Sequence, residues 1–118
     1  IKPNTSKLIH RFMEETVKSG TSRKIFRHRN GDKILTRLDI GGKTGSINNK
    51  ARDTRIDWFV GFARDKKGEG QLALSIVVAH ENFIGTRAGQ YAHRTIKHYF
   101  DTWFSKTGQA QRKESGMP

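Results

Sequence analysis

Apolar residues recur at three- and four-residue spacings near the start of the chain, and this spacing predicts an amphipathic helix over Thr5–Val17. Thr5 or Ser6 can cap the start of this helix, and Gly20 can end it. The residues that share its apolar face are Leu8, Ile9, Phe12, Met13 and Val17. The pattern therefore indicates one helix with a single apolar face.

Later segments have the composition of strands. Ile56–Ala63 is dense in aromatic and β-branched residues, and Gly61 within it indicates a bulge or a close backbone approach. The charged loop Arg64–Gly70 joins it to Leu72–Ala79, a nearly continuous apolar run that is typical of a strand buried on both faces. Leu35–Ile40 is predicted to be an extended approach to a further strand.

A second helix is predicted over Tyr91–Phe104, and a disordered tail over Ser105–Pro118, where apolar periodicity stops. The helix's apolar stripe consists of Ile96, Tyr99, Phe100, Trp103 and Phe104. The order helix, strand, strand, strand, helix predicts an α/β (α+β) fold over residues 1–104, with an antiparallel three-stranded meander. The Leu72–Ala79 strand would lie at an edge, so we expect a missing piece to pair with it.

Composition narrows the classes of function. The 118 residues include 23 Lys and Arg against 11 Asp and Glu, a net charge of +12, which predicts attraction to polyanions. Only 33% of the residues are hydrophobic, which is low for a domain of this size. The absence of Cys excludes disulfides and cysteine-based zinc sites, and no apolar run is long enough to span a bilayer.

The segment with the strongest chemical signal is Gly41-Gly42-Lys43-Thr44-Gly45-Ser46. A phosphate-binding loop needs a glycine where Arg37 stands and a helix directly afterwards, so that interpretation fails. Lys-Thr-Gly on a strand instead resembles the transpeptidase domain of the penicillin-binding proteins. The resemblance extends over about Lys7 to Phe104. It includes Gly20-Thr21 after the first helix and the segment Asp57-Trp58-Phe59-Val60-Gly61-Phe62, in which Trp58 lies fifteen residues after Lys43.

The resemblance implies a role for each residue of the motif. Lys43 would attract the carboxylate of a stem peptide or a β-lactam, and Thr44 would donate a hydrogen bond to the same carboxylate. Gly45 would keep the wall of the cleft flat. The Ser46 backbone N–H would be one donor of an oxyanion hole. The resemblance implies no cofactor and no metal.

The acylating part of such an enzyme is absent from the chain. No serine is followed three residues later by a lysine, and we treat Ser46-Ile47-Asn48 as a coincidental match to S-x-N. The resemblance therefore implies a C-terminal part that is inactive alone. Its partners would be a complementary N-terminal part with S-x-x-K and S-x-N, the peptidoglycan stem peptide, and β-lactams. Its location would be the bacterial periplasm or the outer face of the cytoplasmic membrane.

Two alternatives stay open. A serine β-lactamase shares the Lys-Thr-Gly motif and a W-x-x-G strand. The basic stretch Arg23–Arg29, which includes Phe26, is compatible with a small nucleic-acid-binding domain. No RNA- or DNA-binding signature is present, so we expect no nucleic acid partner. His80-Glu81-Asn82 lacks the second histidine of a zinc protease, and the spacing of His93 and His98 puts them on different helix faces.

Overall fold

The computed structural model describes residues 1–27, 29–114 and 116, with the backbone alone for Arg29 and residues 109–114. Three antiparallel strands lie between an N-terminal and a C-terminal helix, which confirms the predicted mixed fold. The elements are α1 (Pro3–Lys18), β1 (Leu38–Asn49), β2 (Thr54–Asp65), β3 (Gln71–His80) and α2 (Ala88–Glu114), with short 3-10 turns at Arg29–Gly31 and Leu35–Arg37. Part of the basic stretch, at His28, lies outside the described residues.

Helix α1 is attached to the sheet through its C-terminal end. The hydroxyl of Thr16 donates to the carbonyl oxygen of Gly42 in β1, and Val17 is buried beside it. The rest of the predicted apolar face has little cover, since Phe12 is 63% exposed and Leu8 is 47% exposed. Most of this apolar face therefore has no partner within the described chain.

The chain enters β1 through the 3-10 turn at Leu35–Arg37, so the strand starts later than the extended segment predicted over Leu35–Ile40. Asp32 stabilises the turn, because its Oδ1 accepts backbone N–H bonds from two and three residues later, at 2.8 and 3.1 Å. Lys97 donates to the other carboxylate oxygen at 2.6 Å, and this bond is the main reason that the pKa of Asp32 lies below 3.8.

The three strands lie in the order β1-β2-β3, and each consecutive pair is antiparallel. The Lys-Thr-Gly motif lies within β1, which forms one edge of the sheet, as the motif's placement on a strand predicted. Because successive side chains of a strand point to opposite faces, Thr44 and Ser46 share one face, whereas Lys43 and Gly45 share the other.

The core lies between one face of the sheet and α2. Phe59 of β2 is fully buried, and its ring centroid lies 6.1 Å from that of Phe26. Ile96 and Phe100 of the predicted helical stripe are also fully buried. The β3 residues that pack against this cluster are Leu72, Leu74, Ile76 and Val78. Burial of this apolar surface is the main source of the fold's stability.

The prediction that Leu72–Ala79 is buried on both faces is wrong for this chain. Alternate residues of β3 face the core, whereas Ala73, Ser75, Val77 and Ala79 are exposed, and Val77 is 67% exposed. The reason is that α2 covers one face of the sheet, and no described element covers β3 on the other. The predicted edge position of this strand is confirmed.

Helix α2 is longer than the sequence predicted. It begins at Ala88 and continues to Glu114, so helix replaces the expected disorder over most of the tail Ser105–Pro118. The physical reason is composition, because residues 105–114 contain Lys, Gln, Ala, Arg and Glu and no proline. Ser115, Met117 and Pro118 lie outside the described residues, and the division into a domain and a tail stays a prediction.

Candidate functional site

The motif borders a cleft of about 620 Å³ between β1, the turns at residues 21–27 and the first two turns of α2. Thr44, Gly45 and Ser46 form the β1 wall. The other lining residues are Thr21, Lys24, Ile25, Arg27, Asp57, Trp58, Arg87, Gly89, Gln90, His93 and Arg94. Three segments that are distant in sequence thus meet beside the motif.

Three of the four predicted site residues share this cleft, and Lys43 does not line it. The Lys43 side chain lies on the opposite sheet face, where Nζ donates to the Thr44 carbonyl oxygen at 2.8 Å and remains exposed. Successive side chains of β1 point to opposite faces of the sheet. Side chains on either face can therefore contact a ligand that lies along the unpaired edge of β1. The arrangement therefore places Lys43 and Thr44 on opposite sides of one backbone edge.

The cleft is strongly cationic. Lys24, Arg27, Arg87 and Arg94 line it, and none of these four exposed side chains forms an ion pair with a carboxylate among the described side chains. Asp57 is the lining carboxylate, and its two oxygens already accept hydrogen bonds from within the fold. Sequence reasoning missed this cluster because the four cations come from two segments some sixty residues apart, and only their meeting in space reveals it.

Gly45 lies directly under a tryptophan. It pairs with Trp58 across β1 and β2, and a Cβ on Gly45 would lie 2.6 Å from the indole Nε1 and closer still to two ring carbons. Gly41 has the same relation to Phe62, because a Cβ on Gly41 would lie 2.5 Å from the nearest ring carbon. Gly41 and Gly45 therefore leave room for aromatic rings of β2. This packing is a reason for glycine at both positions that does not depend on access for a ligand.

A buried hydrogen-bond network joins the sheet to α2 beside the cleft. Asp57, opposite Ser46 in the β1–β2 register, accepts from His80 Nε2 on one oxygen and from the Ala88 N–H at 2.8 Å on the other. The Gly85 N–H donates to His80 Nδ1 at 3.2 Å, which assigns the ring proton to Nε2. This network fixes the N-terminus of α2, and with it the neighbouring arginines, against the motif strand.

His93 contributes a titratable ring to the cleft wall. It lies edge-on to Phe26, with ring centroids 5.5 Å apart. Burial lowers the pKa of His93 below its ordinary value of 6.5, and the positive charge of Lys97 lowers it further. The ring is therefore neutral at neutral pH, and acidification adds a fifth positive charge to the cleft.

Among the side chains that the structure describes, no three His, Asp or Glu residues lie close enough together to hold a metal ion. Over the same part of the chain, no helix is long and apolar enough to cross a membrane. The chemistry that this arrangement supplies is recognition of an anionic group by cations, hydroxyls and a strand edge.

Comparison with known proteins relates this chain to the penicillin-binding proteins. Over 65 residues, 55% of the chain, it is 37% identical to penicillin-binding protein 1A of Neisseria gonorrhoeae, and it has the same identity to that protein from Neisseria lactamica and Neisseria meningitidis. The match spans 7% of the length of each relative. No protein-family model and no solved structure matches the chain.

Proposed function

We propose that this chain is the C-terminal part of a penicillin-binding transpeptidase domain that supplies one wall of a serine acyl-transfer site. The observation that carries the proposal is the position of Thr44, Gly45 and Ser46, on an edge strand that borders a cationic cleft. The 37% identity with penicillin-binding protein 1A over 65 residues supports it. The proposed substrates are the peptidoglycan stem peptide and β-lactams, and the proposed location is the bacterial periplasm or the outer face of the cytoplasmic membrane.

Each residue of the motif has a physical role in this proposal. Lys43 attracts the substrate carboxylate, and the Thr44 hydroxyl donates to it. Every second N–H of an edge strand points away from the sheet, and we assign the Ser46 N–H to the oxyanion hole on that basis. Loss of one such donor typically slows the chemical step by about 10²–10³-fold. Gly45 admits Trp58, which holds this edge rigid beneath the ligand.

The nucleophile belongs to a separate segment in this proposal. A serine activated by a lysine in S-x-x-K attacks the substrate carbonyl, and the oxyanion hole stabilises the tetrahedral intermediate. The C–N bond of the amide or lactam then breaks, the departing nitrogen takes up the proton that the serine gave up, and the acyl-enzyme remains. The chain alone therefore forms no acyl-enzyme. A serine β-lactamase would use the same wall, and differs in how fast water releases the acyl group.

Labelling with a fluorescent penicillin tests the proposal. The chain is co-expressed with an N-terminal segment that contains S-x-x-K and S-x-N, and the two are separated after labelling. We expect label on the complementary segment only, with at least about tenfold slower labelling by Lys43→Ala and unchanged labelling by Lys50→Ala, an exposed lysine in the β1–β2 hairpin. Label on the 118-residue chain refutes the assignment. Rapid loss of the label favours a β-lactamase.

A further inference from the structure

We infer that a second groove, beside the C-terminal end of α1, binds a phosphodiester polymer through its phosphate groups. This groove has a volume of about 380 Å³ and lies between the last turn of α1 and the turns at residues 21–27. We call it the basic groove, because its lining includes Lys18, Arg23, Lys24 and Arg27. Lys18 and Arg23 do not line the cleft beside the motif, and the inference does not depend on the proposed function.

The charge of the basic groove is the first reason. All four cationic side chains are exposed, and none of them pairs with a carboxylate in the part of the chain whose side chains the structure describes. No described Asp or Glu lines the groove. The mutual repulsion of the cations raises the free energy of the empty groove, and a bound anion removes this repulsion and gains charge-assisted hydrogen bonds.

The dipole of α1 accounts for only one of these charges. Lys18 lies in the last turn of the helix, where a positive charge stabilises the helix end. Arg23, Lys24 and Arg27 lie beyond that turn, and the effect of the dipole falls off within it. Three of the four cations therefore have no role in the stability of α1.

The backbone that carries these cations is ordered and extended enough for more than one phosphate. The N–H groups of Arg23, Ile25 and Phe26 donate to carbonyl oxygens three residues earlier at 3.1 to 3.2 Å, the pattern of a 3-10 helix. Phe26 is buried in the core and holds these turns in place. A rise of about 2.0 Å per residue separates Arg23 from Arg27 by about 8 Å along the turns. The cations therefore match successive phosphates of a polymer better than one isolated phosphate.

The basic groove lacks the surfaces that nucleic acid bases and lipid tails need. Stacking of bases requires exposed aromatic faces, whereas Phe26, the aromatic residue of the described lining, is 3% exposed. Insertion into a bilayer uses exposed apolar side chains, and no large apolar side chain is exposed within residues 18–27. The groups that remain are guanidinium and ammonium groups, which recognise the phosphate itself.

Calorimetric titration of the 118-residue chain with a matched pair of probes tests the inference. An abasic oligodeoxyribonucleotide presents the phosphodiester backbone alone, and an oligothymidine of the same length adds the bases. We expect the two probes to bind with equal affinity, because the protein contacts only the backbone. The logarithm of the affinity is expected to fall with the logarithm of the salt concentration with a slope of about −3, since four phosphate contacts on a single strand contribute about −0.7 each.

Arg23→Gln is the informative variant, because Arg23 lines the basic groove and not the cleft. We expect it to bind the abasic probe about two- to fivefold more weakly, with a salt slope shallower by about 0.7. Arg23→Lys keeps the charge and is expected to keep the slope. Arg52→Gln is the matched control, because it removes the same charge at an exposed position in the β1–β2 hairpin, and it is expected to bind like the wild type.

Several results would overturn the inference. Binding of oligothymidine at least about fivefold tighter than the abasic probe favours nucleic acid, because base stacking would then contribute. Equally tight binding of poly-L-glutamate with the same number of charges shows attraction by charge alone. Equal losses in Arg23→Gln and Arg52→Gln show that net charge is the cause. Binding of phosphatidylglycerol vesicles but of neither oligonucleotide favours a membrane surface.

Discussion

Gly45 has two candidate reasons for being a glycine, and a double-mutant cycle separates them. Access for a ligand is one reason, and packing of Trp58 is the other. A Cβ at this position would lie 2.6 Å from the indole Nε1, whereas carbon atoms in contact prefer separations of about 3.5–4.0 Å. The ring or the strand must therefore move by about 1 Å to accept Gly45→Ala.

We expect Gly45→Ala to lower the free energy of unfolding by about 1–3 kcal/mol, the usual cost of an overpacked site. In a Trp58→Ala background the ring is absent, and the same substitution is expected to cost less than about 0.5 kcal/mol. The difference between the two costs is the coupling energy of the pair. Urea denaturation followed by far-ultraviolet circular dichroism measures all four variants without depending on tryptophan fluorescence.

Gly108→Ala is the control for the added methyl group. A Cβ on Gly108 has no atom within 4 Å, and the residue lies in α2, so the substitution is expected to stabilise the chain by about 0.5–1 kcal/mol. Equal costs of Gly45→Ala with and without the Trp58 ring would refute the packing argument. Unchanged stability together with lost penicillin labelling of the reconstituted pair would assign Gly45 to ligand access instead.

Two further predictions concern the walls of the cleft. Because burial lowers the pKa of His93 below 6.5, the unfolded chain binds a proton at this residue more readily than the folded chain does. The His93 contribution to the free energy of unfolding is therefore full above about pH 6.5 and is lost as the pH falls towards the folded pKa. We expect the urea midpoint to change less between about pH 7 and pH 5 in His93→Gln than in the wild type. Asp57→Asn replaces one carboxylate acceptor with a donor that faces the N–H of either His80 or Ala88. We expect the free energy of unfolding, measured by urea denaturation, to fall by about 1–3 kcal/mol, and the Ala88 amide to exchange its hydrogen faster. Protection of that amide at the wild-type level would contradict the role of Asp57 in anchoring α2.

The sequence predicted the order and type of the strands and helices, because the signals for them are local. The aromatic and β-branched composition of Ile56–Ala63 and the helical spacing of Ile96 and Phe100 are properties of short segments, and β2 and α2 include these segments. The length of α2 was not predictable from apolar periodicity, because its last turns lack an apolar face. The prediction that β3 is buried on both faces was wrong. An apolar run shows that a strand can be buried on both faces, but no described element packs on Val77 in this chain.

The candidate site was predictable only along β1. Thr44, Gly45 and Ser46 are contiguous, so one strand places them together whatever the rest of the fold does. The relation of Gly45 to Trp58 depends on the β1–β2 register, which a single sequence does not state. The cationic cluster depends in addition on the N-terminus of α2, which Asp57 and His80 hold in place through a contact between distant segments.

Helix α1 covers only part of the sheet face that bears Lys43, and in the proposed enzyme the uncovered part bears on where the nucleophile lies. Ile47, Val60 and Val77 are 58%, 44% and 67% exposed on the same face that bears Lys43, and Phe12 of α1 is 63% exposed. Exposed apolar residues grouped on one face are typical of an interaction surface. In the proposed enzyme, a segment that covers this face also comes to lie beside Lys43, so the same contact that buries Val60 and Val77 can place a serine next to the lysine. The free edge of β3 adds backbone donors and acceptors for a strand of that segment. In that proposed enzyme, completion of the fold and assembly of the acylation site are one event.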